Sequence, residues 1–293
     1  MCHYPCQGGA PKSKETLVRH STELACWGKA GSSGIDRLAQ VLVLCSGKLL
    51  DKALTFEEDR LPALAGIAAR IAQALGPTYV AGLWKEDITY GLCWEALKPS
   101  ERRERRRGGG SPSWSWISSG GVQGPQELID RRGIDRLEVC GINVEEEHPG
   151  SFRRILNGGR LEIKGEIWKA DIRSEKSGLS DSQTAYVHPG PGFFHSADEC
   201  DKLDFRSDSY PNAYQYQGQE VECWLLLVRQ GRSRKNFEID DVVLSFLVLE
   251  RAEGVDSVCG EACKRIGIAE HTIQGDWRDI GLMVPGQQPI VLP

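Results

Sequence analysis

The stretch "LTFEEDRLPALAGIAARIAQALGPTYVAGLWKED", Leu54 to Asp87, constrains the fold more than any other part of the chain. Thr55 followed by Glu58 has the form of a capping box, in which a hydroxyl and a carboxylate satisfy orphan helix amides reciprocally. Pro62 suits a first helical turn, where its missing N–H costs nothing. The two signals cannot open one regular helix, so the spacing predicts a short turn leading into a helix over 62–75. Leu64, Ile67, Ala68, Ile71, Ala72 and Leu75 recur at steps of three and four. That places Leu64, Ile67, Ile71 and Leu75 on a buried face, with Arg70 and Gln73 outward. Gly76-Pro77 then stops the helix, glycine taking the left-handed cap and proline forbidding continuation. "TYVAGLW" reads as a short buried segment and "LCWEAL" as a second, although neither helix nor turn chemistry calls for the Gly82-Leu83-Trp84 run.

Elsewhere the pattern divides the chain. Residues 1–34, rich in Gly, Ser, Lys and Pro, read as disordered or loosely attached. Leu38, Val41, Leu42, Cys45 and Leu49 fall at helical spacing and predict a helix over 35–50. Arg102–Gly110, "RRERRRGGG", has no interleaved aromatic residue and reads as a solvated loop rather than a nucleic-acid patch. "SPSWSWIS" reads as a strand with Trp114 and Trp116 on one face.

Beyond Gly120 the period becomes that of strands. "DRLEVCGINVEE" and "GRLEIKGEIWKADI" alternate, with Leu161, Ile163 and Ile167 on one face of the second. Glu162, Lys164, Glu166 and Trp168 take its other face. Asn157-Gly158-Gly159 supplies turn residues before it. "VECWLLLVRQ", "DVVLSFLVLERAE" and "CKRIGIAEH" are further strands, the first two apolar enough to be buried on both faces. "IVL" at 290–292 closes the sheet. Residues 174–220 read as a long irregular loop with a short strand at "TAYVHP". The expected architecture is α+β, a small helical subdomain packed on an antiparallel β sandwich or open barrel. Its expected divisions are 1–34, 35–118 and a β-rich domain over 119–293.

Little catalytic chemistry is legible. There is no Walker loop, GxGxxG after a strand, HExxH or GxSxG. The nearest constellation, His188, His195, Asp198 and Cys200, lies in a proline-glycine loop where solvated histidines are the default. Ten cysteines are dispersed, and the pairs Cys2/Cys6 and Cys259/Cys263 lack compact knuckle spacing. No catalytic, cofactor-binding or metal residue is assigned from these, and no cofactor is expected. A net charge of −5 gives no field for nucleic acid or an anionic membrane. The longest apolar runs are too short to span a bilayer, and the N-terminus lacks a signal-peptide core. The expectation is an intracellular, cytoplasmic protein with protein partners still to be identified. Large rings closing a core between two layers account for Trp84, Trp94, Trp114 and Trp116 better than a sugar-binding platform.

Those motifs, taken in order, resemble the C-terminal region of fungal heterokaryon-incompatibility (HET domain) proteins. The resemblance runs through Leu54-Thr55, Asp59 to Ala68, Tyr79 to Trp84, Leu92 to Trp94 and Pro112 to Ile117. It continues more loosely through "LDFRSD", "FLVLERAEG" and "KRIGIAE". The residues that carry it are Thr55, Asp59, Arg60, Pro62, Gly66, Gly82, Trp84, Trp94, Trp114 and Trp116. The HET domain of such proteins lies upstream and has no counterpart here, so its activity is not carried over. The resemblance implies a non-enzymatic regulatory or scaffold module in fungal non-self recognition and programmed cell death, with a truncated paralogue or an incomplete gene model as the two readings of its origin. Two other readings stay open. One is a ligand- or carbohydrate-binding β domain with exposed tryptophans, and the other a hydrolase or metal enzyme built on the 188–200 loop.

Overall fold

The computed structural model describes residues 59–96, 111–118, 122–123, 133–148, 150–152, 154–176, 183–190, 193, 202–208, 220–232, 241–252, 261–274 and 287–293. Thr55, Glu58, the 35–50 segment, the arginine run and His195, Asp198 and Cys200 lie outside the described residues. So do the side chains of Arg60 and Leu75.

The amphipathic helix, α1, spans Arg60–Leu75 and begins two residues earlier than expected. Asp59 stands at its N-cap without a side-chain capping bond, and Pro62 falls in the first turn, exposed. Gly76 ends the helix at φ 82°, its N–H donating to the Ala72 carbonyl. Leu61, Leu64, Ala68 and Ile71 face the core, while Gly66, Arg70 and Gln73 face out.

The segment after the helix corrects the sequence reading. Tyr79–Val80 (β1) and Leu83–Trp84 (β2) form a tight antiparallel hairpin, closed by Ala81 at φ 48° and Gly82 at φ 90°. Two positive-φ residues in a two-residue loop match the right-handed twist of the strands, so turn chemistry does call for Gly82. A Cβ there would also lie 2.6 Å from the Trp116 indole nitrogen. A 3-10 turn over Lys85–Asp87, a short helix α2 (Ile88–Gly91) and a strand β3 (Glu95–Ala96) follow. "SPSWSWIS" is not a strand: it is a turn running into a 3-10 helix, Trp116–Ser118. Its alternation comes from hydrogen bonding, not from a pleat.

The strands are β4 (Val122–Gln123), β5 (Ile134–Asp135), β6 (Glu138–Glu146), β7 (Ile155–Gly165) and β8 (Ile167–Lys176). They continue with β9 (Gln183–Pro189), β10 (Leu203–Ser207), β11 (Val221–Arg232), β12 (Asp241–Arg251), β13 (Glu261–Gln274) and β14 (Gln288–Leu292). The stretch 174–220, read as a long loop, therefore carries both the expected strand β9 and an unforeseen one, β10. That second strand decides the architecture. It pairs with β9 on one side and with β13 on the other, so β8, β11, β12, β13, β10 and β9 close into a six-strand antiparallel barrel. The expected sandwich or open barrel is thus a closed one. Closure needs Gly267, where a Cβ would sit 2.5 Å from the Arg206 carbonyl oxygen.

"GRLEIKGEIWKADI" divides between two strands. β7 belongs to a wing in which β14 joins β13 in parallel and β7 and β6 follow antiparallel. β8 belongs to the barrel. Glu166 at the junction is buried, and Arg136 meets it at 2.9 Å. Asn157-Gly158-Gly159 lies inside β7 beside register shifts, as an irregularity in the ladder rather than a turn.

Two cores result, separated by the β11–β12 wall. Trp168, Phe193, Phe246, Leu225, Leu227 and Leu244 are among the residues that fill the barrel. The opposite face of the same wall, with Leu226, Val228, Leu247 and Leu249, shares a second core with α1, the hairpin, the wing and four tryptophans. Burial on both sides is why these two strands read as nearly continuous apolar runs. Among the described residues, no helix is long and apolar enough to cross a membrane.

Gly82→Ala combines a strained φ with a steric clash and should cost about 2 kcal/mol or more. A lower urea midpoint at an unchanged slope would report that loss.

Candidate functional site

The "PSWSW" motif makes sense residue by residue once its hydrogen bonds are traced. The Ser113 amide donates to the Pro293 carbonyl at 2.8 Å, and its hydroxyl accepts from the Arg265 amide at 3.4 Å. The Trp114 indole donates to the Gly159 carbonyl in the wing, and the Trp114 carbonyl accepts from the Trp94 indole at 3.0 Å. The Ser115 hydroxyl donates to the Ala81 carbonyl, and the Trp116 indole donates to the Gly82 carbonyl at 2.7 Å. Four short residues thus tie the hairpin turn, the 88–96 segment, the wing and the chain's last strand to one point. The two serines reach backbone groups that larger residues would cover.

Arg265, on β13, stands at the centre of this seam. Its side chain is wholly enclosed, and so, at 2% exposure, is that of its partner Asp208. Nε donates to Asp208 Oδ2 at 2.8 Å and Nη2 to Oδ1 at 3.1 Å, a two-pronged geometry suited to a carboxylate. Nη1 donates to the Leu92 carbonyl at 2.5 Å and Nη2 to the Trp94 carbonyl at 2.6 Å. The guanidinium also lies 3.5 Å from the centroid of the Trp94 ring. The carbonyls of Leu92 and Trp94 are free to accept because α2 ends at Gly91 and the chain turns extended.

Two further arginines of the barrel reach the same segment. Arg206, on β10, bridges Glu95 at 2.8 Å and also bonds Glu270 on β13. Arg229, on β11 and 4% exposed, meets Asp135 at 3.3 Å and lies 5.2 Å from the Tyr90 ring centroid. Cys93 sits among these charges, but burial outweighs them and pushes its thiol up to about 12. Burial likewise pushes Cys263 up to about 11. Neither thiol is thereby a nucleophile near neutral pH.

The residues singled out in the sequence fall into two groups. Gly82, Trp84, Trp94, Trp114 and Trp116 come together in the seam, each tryptophan at most 5% exposed. Asp59, Pro62 and Gly66 are exposed, the first at the N-cap of α1 and the others on its outer side. Thr55 lies outside the described residues. Arg265, Asp208, Arg206 and Arg229 escaped sequence reasoning altogether. They lie in "LDFRSD", "KRIGIAE" and the end of "VECWLLLVRQ", and local pattern does not reveal the distant partners that bury a charge. His188 lies on β9 opposite Asp171. Among the described residues, no three His, Cys, Asp or Glu side chains gather as metal ligands. No described tryptophan is exposed, Trp224 being half-buried.

Scans against known protein families, curated proteins and solved structures found no match to this chain.

Removing Arg265 leaves Asp208 as a buried, uncompensated charge. Arg265→Met should cost about 3–5 kcal/mol, and adding Asp208→Leu should recover much of it. Urea unfolding of both single variants and the double variant measures that coupling. The Tyr79 hydroxyl, buried in the hairpin without a hydrogen-bond partner among the described residues, predicts the opposite sign. Tyr79→Phe should leave stability unchanged or raise it by about 1 kcal/mol in the same measurement.

Proposed function

We propose that this chain is a non-enzymatic regulatory or scaffold module of the heterokaryon-incompatibility type, serving non-self recognition in a fungal cell. The observation that carries this reading is the use made of the motif residues. The side chains of Trp84, Trp94, Trp114 and Trp116 that carry the resemblance are spent inside the seam. They brace a helical layer against a barrel and present no reactive group to solvent. A module whose strongest motifs are internal braces acts through its shape and surface, on partners supplied by other chains or domains. The carbohydrate-binding alternative needs two tryptophans exposed in one cleft, and the motif tryptophans offer none.

The test is a gain-of-function assay in a fungal host. A HET domain is expressed alone, fused to this chain, and fused to its Trp114→Ala variant; the chain is also expressed alone. The expected result is that the fused chain changes the cell-death response of the HET domain at least severalfold. The variant should lose that effect, and the chain alone should neither arrest growth nor deplete NAD. A response identical with and without the chain, or NAD loss caused by the chain alone, would overturn the reading.

A further inference from the structure

The segment from Ile88 to Ala96 is held in an unusual way. None of its residues joins the barrel ladder, and among the described residues β3 pairs only with β4. Apart from that pairing its backbone bonds include two local ones, from the Leu92 amide to the Ile88 carbonyl and from Cys93 to Tyr90. What fixes it to the barrel is side-chain chemistry: Arg229 over Tyr90, Arg265 on the carbonyls of Leu92 and Trp94, and Arg206 on Glu95. Burial of Ile88, Tyr90, Leu92, Cys93 and Trp94 adds to it.

The wall beneath differs from the apolar part of β11 and β12 beside it. To one side of the segment, β11 and β12 present Leu226, Val228, Leu247 and Leu249. Under the segment they present a polar rung instead. Arg229, Ser245 and Glu270 stand directly opposite one another on β11, β12 and β13. Arg229 contacts Tyr90 at one end of that rung, and Glu270 reaches Glu95 through Arg206 at the other. Ser245 is between them, 0% exposed, and its hydroxyl has no hydrogen-bond partner among the described residues. A buried hydroxyl left unsatisfied costs free energy that water would return on exposure. An apolar residue here would continue the neighbouring wall without that cost.

From the side-chain-only anchorage and the unsatisfied serine beneath it, we infer that 88–96 is a strap that opens as a unit while the barrel stays folded, exposing the Arg229–Ser245–Glu270 rung. Ser245 lowers the cost of opening, because its hydroxyl is hydrated only in the open state. The three arginines set the closed geometry and guide the strap back. This inference goes beyond the scaffold reading and does not depend on it.

Two cysteines of the full-length chain serve as reporters. Cys93 lies in the strap at 2% exposure, and Cys223 lies inside the barrel at 0%. Thiol alkylation at pH 8, resolved by peptide mass spectrometry, is followed across low urea concentrations. Strap opening predicts that Cys93 reacts at least about tenfold faster than Cys223, with a much shallower urea dependence, since opening exposes little surface. Ser245→Ala should slow Cys93 about tenfold, and Arg206→Gln should speed it. Equal rates and equally steep urea dependence at the two thiols would mean a single global unfolding and would overturn the inference. So would a Cys93 rate that Ser245→Ala leaves unchanged or raises. If Ser245→Ala does not fold, the Arg206→Gln rate and the urea comparison decide.

Discussion

Arg265 carries a charge into a place that water does not reach, and the arrangement around it follows from that burden. A lone guanidinium at that depth would cost several kcal/mol after relaxation. Asp208 neutralises it and takes two of its hydrogen bonds, and two carbonyls and an indole face complete the shell. Those ligands come from β13, from the end of β10 and from the 88–96 segment. The pair ties β13 to the end of β10, and the remaining donors and the indole face set the position in which the 88–96 segment lies when closed. Hydrophobic burial holds the layers together; the arginine decides in which register.

The tryptophans and serines of the neighbouring motif work on the same principle. Each large ring supplies apolar area to the second core and turns its one donor onto a backbone carbonyl. Each serine is small enough to sit beneath them while bonding a group that would otherwise be buried alone. The seam is therefore specified by polar contacts inside an apolar setting. This gives a structural account of why so much of the chain's patterning is concentrated near residues 59–118, apart from any reactive centre.

The barrel wall shared by both cores has its own consequence. β11 and β12 carry large apolar residues to the inside and to the outside, so the barrel and the layer over it cannot be stabilised independently. Where the 88–96 segment crosses, Arg229 and Ser245, with Glu270 beside them on β13, interrupt the apolar outer face of β11 and β12, and charge is added to area in the contact. The 88–96 segment is therefore held both by burial in the second core and by the arginines beneath it.

By itself the sequence determined the local elements whose signals are short in range. The helix ending at Gly76-Pro77, the alternating strands of 138–176 and the doubly buried runs at 221–249 depend on periodicity and on φ preferences of neighbouring residues. The same patterning marked Trp84, Trp94, Trp114 and Trp116 as core material. Tertiary structure alone decided that "SPSWSWIS" would be a hydrogen-bonded turn, because its partners are Ala81, Gly82, Gly159 and Pro293, distant in the chain. It decided that the strands would close, because β10 is five residues long and its pairing with β13 is invisible to local pattern. It also decided the fate of Arg206, Arg229 and Arg265. Charge in a sequence is read as exposure, and only the three-dimensional arrival of Glu95, Glu270, Asp135 and Asp208 makes burying those arginines physically tolerable.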